Sequence, residues 1–401
     1  MTKDLEDDLH RVLMRGAEGA PQAPAGFPEQ IVGRSRRRRG RSHAVAAALA
    51  VVVVAGGVGW AVRGQGDNAP VVLDPVATPS ASDVTTRAPV PSPIEQVWPQ
   101  AVWKIPAKLP GVKKYQPRIF IDDHTVLLET WESFEKADAI YAYDLTTGGH
   151  RKIANIRTPK GVYASNYAAG QDRIVWQTID DMRTTFWSVP IAGGKPEPIP
   201  TDAPVEGRAD TVVVVGDGVA FSVTEGGVFT LPLTGGAVTP VADAERHHIL
   251  RWPWVGTPGQ RTPDNEPSFE EIRNVETGET SKALVRPGDQ YVRCGVTTCV
   301  GVAAGDKPFY RLRDGSNERQ IQEPAMTGVA YDRFMTVWTL DQRVRRQLLL
   351  DLATGKSGDL GLHLTPGGKG SFSVEPGISA NNLVAYPLGD DYVIIDLTRI
   401  T

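Results

Sequence analysis

The feature that most constrains this chain is a unit of about 41 residues that recurs along residues 99–401. Six segments carry it: IYAYDLTTGGHRKI, FWSVPIAGGKPEPI, VFTLPLTGGAVTPV, EIRNVETGETSKAL, FYRLRDGSNERQI and LLLDLATGKSGDL. Each joins an apolar run to a tight turn containing glycine and then to a second short run. The turn glycines are Gly148, Gly193, Gly235, Gly278, Gly315 and Gly355, spaced 37 to 45 residues apart. A partial seventh copy, YVIIDLTRI, follows at the C-terminus. A period of this length marks an architecture in which each unit buries its faces against its neighbours.

Each copy reads as a β-hairpin. Tyr141/Tyr143 and Phe229/Leu231 alternate with the period of a strand that has one buried face. The glycine allows a positive φ in the turn at no steric cost. Another apolar strand precedes each hairpin: TVLLET, RIVWQT, GVAFSV, WPWVG, CVGVAA, FMTVWT and LVAYPL. With the linking stretch this makes four short strands per unit, the blade of a β-propeller. The 303 residues from 99 to 401 hold about seven units. The last copy stops after its third strand, and Ala101–Pro106 (AVWKIP) is the candidate for the fourth. Pairing the first and last segments closes the ring and removes two sheet edges. The expectation is an all-β, seven-bladed β-propeller with its N-terminal strand closing the last blade, plus one N-terminal transmembrane helix.

The helix comes from a different signal. Ala44 to Val62 is 19 residues without a charged side chain, which as a helix spans about 28 Å, close to a bilayer's hydrocarbon core. Six arginines between Arg34 and Arg41 precede it, and only Arg63 follows closely. That bias places the N-terminus in the cytoplasm and the repeat region outside. A cleaved signal peptide is the competing reading, but the region before the apolar stretch is long for one. The organisation expected is a cytoplasmic Arg-rich tail (1–43), a transmembrane helix (44–62), a Pro/Ser/Thr-rich stalk (63–98) and an extracytoplasmic propeller (99–401). Leu5, Leu9, Val12 and Leu13 allow a short amphipathic helix in the tail. It would either dock on a cytoplasmic partner or remain a frayed end.

YAYDLTTGG, LLLDLATGK and VIIDL resemble the third-strand motif of bacterial TolB-like and WD-like β-propellers. The order of basic tail, Ala/Val span, Pro/Thr stalk and propeller resembles membrane-anchored propeller proteins of high-GC Gram-positive bacteria. The resemblance implies a fold and no particular activity. The SPDG turn usual in TolB-like repeats is absent, so no partner carries over.

Composition and motifs exclude several functions. A net charge of −4 gives no reason to expect nucleic-acid binding. There is no nucleophile elbow, phosphate-binding loop, dinucleotide fingerprint or metalloprotease motif, so no catalytic residue, cofactor or metal site is assigned. Cys294 and Cys299 flank a four-residue turn in RCGVTTCV and read as a structural disulfide, suited to an oxidising compartment. His247 and His248 point to opposite faces if extended and so do not share an ion. Trp131, Trp176, Trp254 and Trp338 read as inter-blade packing.

The loops between second and third strands fall on one rim and sum to a charge of −7. Their candidate acidic residues are Glu132, Glu135, Asp180, Asp181, Glu266, Glu270, Glu271, Asp390 and Asp391. Arg343, Arg345 and Arg346 form one basic sector. Such a rim would steer a cationic partner, or it is simply solvated. The functional expectation is a non-enzymatic, membrane-anchored, extracytoplasmic binding or scaffolding module of unknown ligand. The alternatives are an extracytoplasmic propeller enzyme of lyase or glycosidase type, and a transmembrane sensor acting through its tail.

Overall fold

A computed structural model describes residues 91–133, 136–159, 161–259, 267–322, 328–341, 344–364, 373–374 and 382–401. The tail, the Ala44–Val62 span and the stalk up to residue 90 lie outside these residues. Among the described residues no helix is long and apolar enough to cross a membrane.

The described residues form seven antiparallel sheets, one per blade. Blade 1 comprises Tyr115–Phe120, Thr125–Ser133, Lys136–Asp144 and His150–Asn155, hydrogen-bonded in that order. Blade 2 comprises Tyr163–Gly170, Arg173–Asp180 and Arg183–Pro190, whose outer edge carries two short strands. Blades 3, 4 and 5 begin with the inner strands Ala209–Val215, His248–Arg251 and Gln290–Cys294 and have four strands each. Blade 6 shows Phe334–Asp341, Val344–Asp351 and Ser357–Leu364. Blade 7 pairs Leu383–Leu388 with Asp391–Asp396 and takes its outer strand, Val102–Pro106, from the start of the ring.

That last pairing is the expected clasp. Trp103 lies opposite Ile394 and Ile105 opposite Tyr392. The Tyr392 hydroxyl donates to the Tyr115 carbonyl at 3.0 Å, and Arg399 reaches the Asp123 carbonyl at 2.7 Å, joining blade 7 to blade 1. A further anchor lies ahead of the clasp. The short helix Ile94–Val97 and Trp98 are part of the core between blades 6 and 7. The Asp359 amide donates to the Ser92 carbonyl at 2.9 Å. Gly358 permits this approach, since a Cβ there would stand 2.9 Å from the Ile94 Cα.

The turn chemistry repeats with the blades. The six repeat glycines all have positive φ, from 72° at Gly148 to 109° at Gly193. In three of them an Asp or Asn four residues before the glycine shapes the turn. Asp144 Oδ1 accepts from the amides of Thr146 and Thr147, Asn274 Oδ1 from Glu276 and Thr277, and Asp351 Oδ1 from Ala353. The Asp-x-x-Thr-Gly pattern is therefore a turn device, with the side chain satisfying amides that the ladder leaves open.

The one-sided burial expected for the third strands gives way to burial on both faces. In Lys136–Asp144, Ala137 to Ile140 are all buried, as are Ala142 and Tyr143. Neighbouring blades cover each sheet from both sides, which also explains the continuous apolar runs of the second strands. The described core resolves into seven clusters, one at each seam between adjacent blades. A cluster at every seam, including that between blades 7 and 1, is the packing signature of a closed ring.

Candidate functional site

The inner strands leave a cavity of about 1130 Å³ along the ring axis. Inner strands of blades 1 to 5 and Asn382 of blade 7 line it, and the loops at Thr224–Glu225 and Thr257–Gly259 border it. Its polar side chains come from separate repeats: Arg118 from blade 1, Asp210 from blade 3, Arg246 and His248 from blade 4 and Arg293 from blade 5.

Two of these are held by partners. His248 Nδ1 lies 2.5 Å from Asp210 Oδ2, linking blade 4 to blade 3. The Ser222 hydroxyl donates to Asp210 Oδ1 at 2.5 Å and accepts from the Ile249 amide at 3.2 Å. Both oxygens of Asp210 are thus engaged. Burial pushes its carboxyl up, but the His248 and Ser222 hydrogen bonds outweigh this and hold it below the usual carboxylate range. An Asp that accepts from Nδ1 fixes the imidazole's orientation and leaves Nε2 to face outward.

On the opposite wall Arg118 is committed to Glu129, which is 1% exposed. Its Nε donates to Glu129 Oε2 at 2.5 Å, and its guanidinium lies 5.5 Å from the Trp131 ring centre. Burial raises the Glu129 carboxyl above its ordinary range despite Arg118. The neighbouring Tyr167 hydroxyl, fully enclosed, is raised well above 10 by burial and by the Glu129 charge. Arg246 and Arg293 differ from Arg118: neither has an acceptor among the described residues, and the Arg293 Nε is shielded from solvent.

Motif reading missed this constellation because the inner strands share no motif. A positional signal does exist. Ser165, Asp210, His248 and Arg293 follow their turn glycines by 17, 17, 13 and 15 residues. Polar side chains at that offset, where a buried strand is expected, mark the channel wall. His248 opens the inner strand of blade 4 and faces the cavity.

The sequence-based candidates distribute as follows. Cys294 and Cys299 form a disulfide directly across a hairpin of blade 5, buried in the seam with blade 4. Trp176 is buried at the seam of blades 1 and 2, while Trp131 and Trp254 pack against seams more shallowly. Trp338 lies under the Arg345 guanidinium at 5.3 Å. On the rim, Glu132 pairs with Lys113 at 3.6 Å, and Lys282 sits between Glu270 (3.6 Å) and Glu271 (2.7 Å). Asp180, Asp181, Asp390 and Asp391 flank the corresponding turns of blades 2 and 7 and have no ion-pair partner among the described residues. Arg346 binds Asp359 at 3.1 Å and lies 2.9 Å from the His363 ring. Glu135, Glu266 and Arg343 lie outside the described residues. Among those residues no group of three or more His, Cys, Asp or Glu side chains is placed to hold a metal ion.

No family model matches the chain, and no curated protein matches it in sequence. Solved structures do resemble it. The uncharacterized protein lmo1340 from Listeria monocytogenes is 10% identical, with 72% of this chain and 94% of that one covered and a TM-score of 0.42. YCF48, solved bound to D1 peptide, is also 10% identical, with 65% and 84% covered and a TM-score of 0.39. BamB from Moraxella catarrhalis is 9% identical, with 71% and 86% covered and a TM-score of 0.32. The fold assignment rests on the strand pairing and the seven seams, and nothing of function passes from these proteins to this chain.

Proposed function

We propose that this protein is a membrane-anchored, extracytoplasmic binding module whose ligand enters the central channel of the propeller and leaves chemically unchanged. The observation that carries the binding reading is the polar cavity of about 1130 Å³, walled by side chains from six of the seven blades. Concave sites with a few placed polar groups are the usual places of ligand capture. Support for the location comes from the arginine run before Ala44–Val62 and from the Cys294–Cys299 disulfide, which suits an oxidising compartment. The Pro-rich stalk would hold the ring clear of the bilayer.

Two measurements test this. Protease treatment of intact cells should remove propeller epitopes and spare Met1–Arg41; loss of the tail with the propeller retained would reverse the topology. Crosslinking of the full chain in cells should capture a partner that is lost in Thr211→Trp, which fills the channel wall. Capture indifferent to that change would move binding off the channel.

The Asp210–His248 pair favours a second reading. An imidazole oriented by a carboxylate is the arrangement that general acid–base catalysis uses. Under this reading a substrate would turn over at a rate that His248→Gln reduces by at least ~100-fold.

A further inference from the structure

Resting on the channel as the binding site, we propose that it takes an organic oxyanion, a carboxylate or phosphate held by Arg246 and Arg293, whose own hydroxyl group donates to His248 Nε2.

The arginines give the charge. Of the three that line the cavity, Arg118 is committed to Glu129, while Arg246 and Arg293 meet no acceptor among the described residues. The Arg293 Nε is closed to solvent and so to a ligand oxygen; Arg293, which lines the cavity, would meet the anion through its terminal nitrogens. Asp210 bonds to neither of these arginines among the described residues; its oxygens meet His248 and Ser222. Glu225, the other carboxylate of the lining, has no ion pair with either arginine among the described residues, so both guanidinium groups are left for a ligand. Guanidinium groups match the planar fork of a carboxylate or the face of a phosphate.

The histidine gives the second element. Arg246, in the turn before the inner strand of blade 4, and His248, at the start of that strand, both line the cavity, whereas His247 between them does not. With Nδ1 donating to Asp210, a neutral imidazole presents an acceptor at Nε2. No described atom bonds to Nε2. A plain anion would face that lone pair unfavourably, and a hydroxyl on the same ligand would satisfy it.

The matched probes are citrate and tricarballylate, which differ by one hydroxyl, with inorganic phosphate as the second oxyanion and glucose as the neutral control. Titration calorimetry of the full chain in detergent reads affinity. The expected result is binding of citrate or phosphate and none of glucose. Arg246→Gln and Arg293→Gln should each weaken it at least ~10-fold, the loss of one charged hydrogen bond. Tricarballylate should bind at least ~5-fold more weakly than citrate, and His248→Phe should erase that difference. Equal melting temperatures would show that the variants fold. Binding that both arginine variants leave unchanged overturns the proposal, and so does the absence of heat with citrate and phosphate. If Thr211→Trp still abolishes partner capture in that case, the channel reading survives and only the oxyanion assignment fails. If capture is also indifferent to Thr211→Trp, both fall.

Discussion

Between blades 2 and 3 the seam is filled by rings and aliphatic side chains; between blades 4 and 5 it is pinned by a cation and a disulfide. In the first, Phe221 lies 4.6 Å from Phe186 and 5.5 Å from Phe229, centre to centre, within a cluster that includes Val212, Val219 and Leu231. In the second, the buried Arg313 donates to the carbonyls of Phe269, Glu270, Ser281 and Gly295 at 2.7 to 2.9 Å, alongside the Cys294–Cys299 bridge. Burial pulls the Arg313 pKa down to about 10, so the side chain stays cationic near neutrality. Apolar contact has no required direction, and its loss scales with the volume removed. A polar peg works only if one side chain reaches every acceptor at once. One ring thus holds a seam that degrades by degrees and a seam that depends on a single geometry.

The largest effect should come from the first seam. Phe221→Ala should cost about 4 kcal/mol in urea denaturation and Phe221→Leu only about 1.5 kcal/mol, a graded response. At the second seam Arg313→Lys should cost about 3 kcal/mol although it keeps the charge, because an ammonium cannot serve four carbonyls held in a guanidinium's geometry. Arg313→Met should cost a similar amount. If lysine instead restored most of the stability, the seam would rest on charge alone and the contrast would collapse. Replacing Cys294 and Cys299 by alanine should cost about 2 kcal/mol, the chain-entropy value for so small a loop. Amide exchange should then quicken at 290–303 and stay unchanged at 209–223.

How far these features could be read from sequence follows the same division. The turn glycines, the closing strand at Val102–Pro106 and the Cys294–Cys299 pair were all legible. Each depends on residues close in sequence or on the repeat's own period. The Asp210–His248 pair was not, because its members lie 38 residues apart in different blades and the repeat that aligns them conserves turns rather than channel positions. Arg313 was hidden for another reason. It stands in the RLRDGS stretch as one more charge beside a turn, and nothing local shows that four carbonyls of two blades converge on it.

The smallest effect sets two ion pairs against each other, Arg118–Glu129 in blade 1 and Arg333–Asp351 in blade 6. At Glu129 burial outweighs the arginine, and the carboxyl titrates above its ordinary 4.5. At Asp351 burial is outweighed by Arg333, whose Nε and Nη2 each donate at 2.7 Å, and by Thr354 and the Ala353 amide, so it titrates below 3.8. Folded Glu129 therefore keeps a proton that the unfolded chain has released. Its contribution is full below 4.5 and is lost as pH rises through the folded value. Folded Asp351 stays charged where the unfolded chain is protonated. Its contribution is present above 3.8 and is lost as pH falls through the folded value. Urea midpoints taken from about pH 3 to about pH 7 separate the two. Glu129→Gln should flatten the decline on the rising side, and Asp351→Asn should flatten the drop on the acid side. Identical slopes for both variants would mean that burial and pairing are balanced alike in the two blades, and the asymmetry around the ring would be confined to the seams.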